Sequence, residues 1–228
     1  MAKRTLMQKL ARWHIWLGWA VAVPVVLWIV SGLFMAARPI DIVRGAALHA
    51  EAAPIDGSAL IFPRLTGPVS KVGLVAQAGV PVWIISGADK QPRRYGAKDG
   101  AALGGVDEAE ARRIAQAAFA GKAQITAMRR FSAEAAPMDL RRPRPSWQAT
   151  FADATHLYVD ADTGEVLALR TRFWRAYDFM WGLHIMDLQT REETSNPFLW
   201  LFGGLAALSC LAGTVLLFRR RKTKRTAP

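Results

Sequence analysis

His156-Leu157-Tyr158-Val159-Asp160-Ala161-Asp162-Thr163-Gly164-Glu165-Val166-Leu167 reads as strand, turn, strand. Apolar residues flank a polar turn that closes on Gly164, where a positive φ costs little. A strand candidate, Ser146–Phe151, precedes it. A similar stretch lies upstream, where Val80-Pro81-Val82-Trp83-Ile84-Ile85-Ser86 leads to Arg94-Tyr95-Gly96-Ala97-Lys98-Asp99-Gly100. Between the two, Asp107-x-x-Glu110 has the spacing of a capping box, and Ile114, Ala115, Ala118 and Phe119 repeat at helical spacing until Gly121. Gln124–Phe131 is a further strand candidate. The pattern predicts an α+β domain of antiparallel strands with one packed helix, residues 38–172. Residues 38–75 are the least defined part of it.

This domain is bracketed by two apolar runs. Trp13–Ala37 contains 25 residues without a formal charge, and Pro197–Phe218 another 22. Each exceeds the roughly 20 residues that cross a hydrocarbon core. The first run is also longer than the apolar region of a cleaved signal peptide, about 7–15 residues. Lys3, Arg4, Lys9 and Arg12 open the chain within the basic segment 1–12. Arg219, Arg220, Arg221, Lys222, Lys224 and Arg225 close it within 219–228. These carry ten of the net +12 charges. Basic clusters at the outer ends of both spans predict that both termini are cytoplasmic and the central domain lies across the membrane. Because the charge is terminal rather than on the folded part, no nucleic-acid partner is expected. Trp13, Trp16, Trp19 and Trp200 suit the membrane interface. Pro24 is expected to kink the first span, and Asn196-Pro197 to start the second. Ser31-Gly32, Gly203, Gly204, Ala207, Ser209 and Gly213 offer small faces for helix contact. The one cysteine, Cys210, excludes an intrachain disulfide and reads as a small buried apolar residue.

Residues able to do chemistry are few. Of the histidines His14, His49, His156 and His184, His14 lies in a Trp-rich apolar helix entrance, where an ionisable group points to function. His184 shares one face of a predicted amphipathic helix with Phe173, Tyr177, Met180 and Trp181, within an interfacial segment spanning 173–196. Imidazoles at the membrane without neighbouring carboxylate or cysteine suit haem iron better than zinc. A span separates His14 from His184 by roughly 30 Å, so the two cannot ligate one haem within a protomer. Either each pairs with its mate in a homodimer, or His184 meets His49, which lies shortly beyond the first span. No role is assigned to His156. Asp162-Thr163-Gly164 resembles an aspartic-protease motif, but turn chemistry explains it and protease activity is not expected. Gly104-Gly105 lacks the Lys-Ser/Thr that would make it a phosphate loop. Arg141, Arg142 and Arg144, between Pro137 and Pro145, read as a solvated loop or as an arm attracting an acidic ligand.

Several of these features together resemble the PepSY-associated transmembrane family. They are the Tyr-Val-Asp-x-Asp-Thr-Gly-Glu-Val hairpin, the Asp-Glu-Ala-Glu-Ala helix, the Arg-Pro-x-Pro-Ser-Trp approach and the two spans. Arg12-Trp13-His14-Ile15-Trp16-Leu17-Gly18 is similar to the family's opening signature, and Gly182-Leu183-His184 to its second. Where the family often has Thr-Gly after that histidine, this chain has Ile185-Met186. The resemblance implies a bacterial inner-membrane protein with a periplasmic domain. It also points to haem b held by His14 and His184, since some larger members are haem-containing reductases of ferric siderophores; His49 is the further candidate by its place beyond the first span. The expected activity is then electron transfer or an accessory role in iron acquisition, as a homodimer or with a partner membrane subunit, acting on a ferric siderophore or periplasmic protein. With no nicotinamide or flavin site, electrons would come from a quinol or a donor protein. The other expectation is a membrane-anchored module that binds a peptide, protease or envelope partner without redox chemistry.

Overall fold

In the computed structural model, which describes residues 5–224, the elements follow in the order α1 (Leu6–Ala36), α2 (Ile40–Arg44), β1 (Val69–Gln77), β2 (Val80–Gly87), β3 (Pro92–Gly96), β4 (Ala102–Leu103) and α3 (Glu108–Ala118). They continue with β5 (Ile125–Phe131), β6 (Ser146–Phe151), β7 (His156–Asp160), β8 (Val166–Arg170), α4 (Arg172–His184) and α5 (Pro197–Lys224). Of the basic residues at the termini, Lys3, Arg4 and Arg225 lie outside the described residues. The chain divides into two compact units: residues 39–175, and a membrane unit of residues 1–38 and 176–228.

In the membrane unit, α1 and α5 both have a mean hydropathy of 2.1 over their most apolar window. Most of their surface is exposed: Trp13, Trp16, Trp19 and Trp200 are each about 70% exposed, and Val23, Leu33, Leu201 and Leu217 are exposed with them. Helices this long with such an apolar surface belong in hydrocarbon, which satisfies the surface while the backbone bonds itself. Helix α1 continues through Pro24. At the start of α5 the Asn196 side-chain carbonyl accepts the Leu199 N–H at 3.0 Å, an N-cap with Pro197 at the first helical position. Gly203 and Gly204 face open space rather than a helix contact. Cys210 is exposed on α5, not buried, so it faces the surroundings of the helix rather than a packed core.

The folded unit contains two four-stranded antiparallel sheets, β1-β2-β3-β4 and β5-β6-β7-β8, instead of one. They are two copies of one pattern. In each, a tyrosine-bearing strand enters a turn closed by a glycine with positive φ: Tyr95 and Gly100 (72°), Tyr158 and Gly164 (71°). The second sheet carries α3. Asp107 caps this helix by accepting the Glu110 N–H at 2.7 Å; the reciprocal half of the expected capping box is missing because the Glu110 carboxylate is bound by Arg94. Ala111, Ile114 and Ala115 face the sheet, and their small size brings the helix close over Ala149, Leu157 and Val159. Phe119 stacks on Phe151 with ring centroids 4.0 Å apart. Burying each such large side chain stabilises the fold by about 1.5–3 kcal/mol. The opposite face of β7 is covered too: Tyr158 is fully buried with Leu140 and Ala168. Both faces of β7 are therefore buried, as expected of the central strand of a covered sheet.

Strand β1 begins within the poorly defined stretch 38–75. Ser70, Lys71 and Gly73 break its alternation, and as an edge strand it pairs only with β2, leaving most of its first half exposed.

Candidate functional site

His184 stands at the last turn of α4 and reaches α1. The Trp28 indole N–H donates to Nε2 at 3.0 Å, while Nδ1 lies 3.1 Å from the Ser31 hydroxyl and 3.2 Å from the Trp28 carbonyl. An indole nitrogen can only donate, so Nε2 is the acceptor and Nδ1 carries the proton. Ser31 passes its own hydrogen to the Leu27 carbonyl at 2.7 Å. Ser31 is fully buried, and the ring edge lies 3.3 Å from where a Cβ on Gly32 would stand. The Ser31-Gly32 pair thus receives an imidazole rather than another helix.

His14 plays the same part between α1 and α5. Its Nδ1 is 3.3 Å from the Ser209 hydroxyl, and its Cε1 and Nε2 are 3.0 and 3.3 Å from the Cβ position of Gly213. Glycine at 213 makes room for the ring. Residues 14 and 31 lie about 26 Å apart along α1, so the two histidine contacts are distinct.

The loop after His184 explains its sequence. A Cβ on Gly182 would lie 2.9 Å from the Asp187 carbonyl oxygen, so only glycine fits there. Met186 has φ +57°. It is the left-handed residue that closes α4, with the Asp187 N–H bonded to the Gly182 carbonyl at 2.9 Å. Arg191 binds the buried Asp178 at 2.7 Å, and Asn196 binds the Ile185 carbonyl at 2.7 Å. Hydrogen bonds from Thr190, Glu192 and Glu193 hold the Asp187 carboxyl well below the ordinary carboxylate range.

The expected haem can be tested against this geometry. Both ring nitrogens of His184 are engaged, whereas His14 uses Nδ1 and its Nε2 makes no hydrogen bond among the described residues. The apolar cavity of about 700 Å3 in this unit, lined by Val23, Leu27, Met186, Phe198 and Phe202 among others, is bordered by neither histidine. In this packing His184 does not fit axial ligation, because neither of its ring nitrogens is open. No group of three or more metal-ligating side chains occurs among the described residues.

His49 belongs to the folded unit. It forms an antiparallel bridge with Phe119, and its exposed ring borders a groove of about 510 Å3 between residues 49–53 and the end of β1. His156 sits in a polar cluster under the loop after β5: its Nδ1 is 3.2 Å from Asp139 and 3.2 Å from Gln148, and the Tyr158 hydroxyl donates to Asp139. Burial pushes the Asp139 carboxyl up, but the hydrogen bonds from His156 and Tyr158 outweigh it, leaving it below its ordinary 3.8. Burial and the same carboxylate push the Tyr158 phenol far above 10. A depressed carboxyl stabilises the fold above its unfolded value and loses that contribution as pH falls through the folded one. Denaturant midpoints measured from pH 7 down to pH 2 should therefore fall below about pH 3.8, and Asp139→Asn should lose roughly 1–2 kcal/mol at pH 7 and flatten that acid limb.

The Asp-Thr-Gly turn is structural. Asp160, fully buried, accepts the N–H groups of Asp162 and Thr163 at 2.9 Å each and pairs with Arg144, while Asp162 is exposed. Of the three arm arginines, Arg144 is thus tied down, Arg141 lies 6.0 Å over the Trp174 ring, and Arg142 is exposed. Sequence reading did not identify Trp28 as a histidine partner, although Trp28, Ser31 and Gly32 share a helical face at i, i+3, i+4. It also did not bring Lys71 and Lys90 to Arg142, which no local spacing signals.

No curated protein and no solved structure matches the chain. The model of the PepSY-associated TM region matches residues 11–228, in agreement with the two apolar helices that flank the double-sheet domain, and the chain belongs to that family.

Proposed function

We propose that this membrane protein is a two-span anchor for a binding domain that captures a ligand or an envelope partner, on the side opposite its basic termini. The positive-inside rule makes that the periplasmic side of a bacterial inner membrane. The observation that carries this reading is the use of both His184 nitrogens, by Trp28 and by Ser31 with the Trp28 carbonyl, in holding α4 to α1. His14 likewise seats on Ser209 and Gly213 of α5. Histidines engaged this way join helices, a role that needs no cofactor. The folded domain supplies the binding surface, with an edge strand, β1, and an adjoining groove.

The second reading is a haem-binding electron-transfer component of iron or siderophore acquisition, completed by a homodimer or partner subunit. Its support is the match of both histidines to the family's signatures, together with the His14 Nε2, which has no hydrogen bond among the described residues. It requires Trp28 and α5 to move away from the two rings.

A visible spectrum of the detergent-purified chain, expressed with haem available, oxidised and then dithionite-reduced, separates the two. The anchor reading expects no Soret band. It also expects His184→Ala to lower the thermal stability of the membrane unit by about 1 kcal/mol, from the stranded Trp28 N–H, while partner capture is unchanged. Sharp reduced α and β bands lost in His14→Ala or His184→Ala would overturn it.

A further inference from the structure

The folded domain contains a cleft of about 270 Å3 at which cations from three separate segments meet: Lys71 on β1, Lys90 in the β2–β3 turn and Arg142 on the arm before β6. Strand register builds one wall. Lys71 lies opposite Ser86 across the β1–β2 pair, and Ser86 opposite Pro92 across the β2–β3 pair, so these residues form a row on one face of the first sheet. The other wall is the turn of the second sheet, where Arg144 is fixed on Asp160 with Nε 2.8 Å from the carboxylate. That ion pair anchors the arm, and the prolines at 143 and 145 limit its freedom. Arg142, two residues before the anchor, is left over the cleft.

The charges do not cancel. Four cations line the cleft against two carboxylates, Asp160 and Glu165. Asp160 is already paired with Arg144, and Glu165 accepts the Thr163 hydroxyl at 3.2 Å. Lys71, Lys90 and Arg142 are exposed, and none makes a side-chain hydrogen bond or ion pair among the described residues. Three like charges that share a cleft with one unpaired carboxylate, Glu165, leave a positive excess, and an anion relieves the repulsion among them.

We propose that this cleft binds clustered carboxylates, either of a free di- or tricarboxylate that fits its volume or of adjacent acidic side chains in a peptide. The inference rests on the binding-domain reading and names its ligand class. It is tested by calorimetric titration of the detergent-purified full chain with citrate, with a Glu-Asp-Glu tripeptide, and with acetate as monoanion control. The expected result is saturable binding of citrate or the tripeptide, none of acetate, and weakening as salt rises. The double change Lys71→Gln with Arg142→Gln should weaken binding by roughly tenfold or more, while Lys122→Gln, an exposed cation elsewhere, should not. Tighter binding of citrate assigns the free ligand, and tighter binding of the tripeptide assigns a protein segment. All three changed residues are exposed, so unchanged melting curves are expected and confirm intact folding. Absence of saturable heat with both probes, equal response to acetate, or a double variant that binds like the wild type overturns the proposal. A flat titration with a haem-free spectrum overturns the cleft alone, whereas a haem spectrum overturns the anchor reading and leaves the titration to stand by itself.

Discussion

Arg94→Ala is expected to destabilise the folded domain by about 3–5 kcal/mol, read as a lowered denaturant midpoint of the full chain in detergent. The Arg94 side chain is 2% exposed. One Nη donates to the Gln77 side-chain carbonyl at 2.8 Å and to Glu110; the other donates to the Gly104 carbonyl and to Glu110, both at 3.2 Å. Gln77 in turn donates to the Thr163 carbonyl at 2.6 Å. One guanidinium thus ties β3 to the edge strand β1 and to the start of α3, and through Gln77 to the turn of the second sheet. Removing it strands the buried Gln77 side-chain carbonyl, which costs more than the hydrogen bond itself, while the Glu110 carboxylate, 28% exposed, and the exposed Gly104 carbonyl keep part of their hydration and hold the cost toward the lower end of that range. Arg94→Lys cannot reproduce the two-pronged contact and should recover only part of the loss. A loss below 1 kcal/mol for Arg94→Ala would show that the network does not join the two sheets.

Asp160→Ala is the second large effect, about 3 kcal/mol by the same measurement. Asp160 satisfies two backbone N–H groups of its own turn with one oxygen and binds Arg144 with the other. Its loss strands both N–H groups and releases the arm. Arg144 is 35% exposed and keeps part of its hydration, so the cost stays toward the lower end of the range for buried pairs. Asp162→Ala, two residues along in the motif that resembles a protease, removes an exposed side chain and should change stability by less than about 0.5 kcal/mol. Equal effects at the two positions would contradict the turn role assigned to Asp160.

The two aspartates mark how far local sequence reaches. Turn chemistry identified Tyr158–Val166 as a hairpin, since the residues that bend the chain there are neighbours in sequence. The spans, the capped start of α3 and its apolar face were legible for the same reason: hydropathy, capping and a 3.6-residue period are local. β1 was not legible, because its first half is exposed on both faces, so Ser70, Lys71 and Gly73 interrupt the alternation that one buried face would impose. The division into two sheets was not legible either, since each sheet is closed by register between strands and linked to the other by Arg94 and Gln77.

At the candidate site the same boundary holds. His14 and His184 stood out by sequence, because an imidazole in an apolar helix is unusual wherever it points. Where it points depends on helices far apart in the chain, and the tertiary structure set His184 against Trp28 and Ser31 and His14 against Ser209 and Gly213. The three basic residues of the cleft are exposed and far apart in sequence, and nothing local distinguishes them from solvated surface charges. Sequence by itself determined the family, the two membrane helices and the class of the domain between them. Only the tertiary structure decided which side chains meet, because hydrogen bonding and charge repulsion act through distances that the order of residues does not specify.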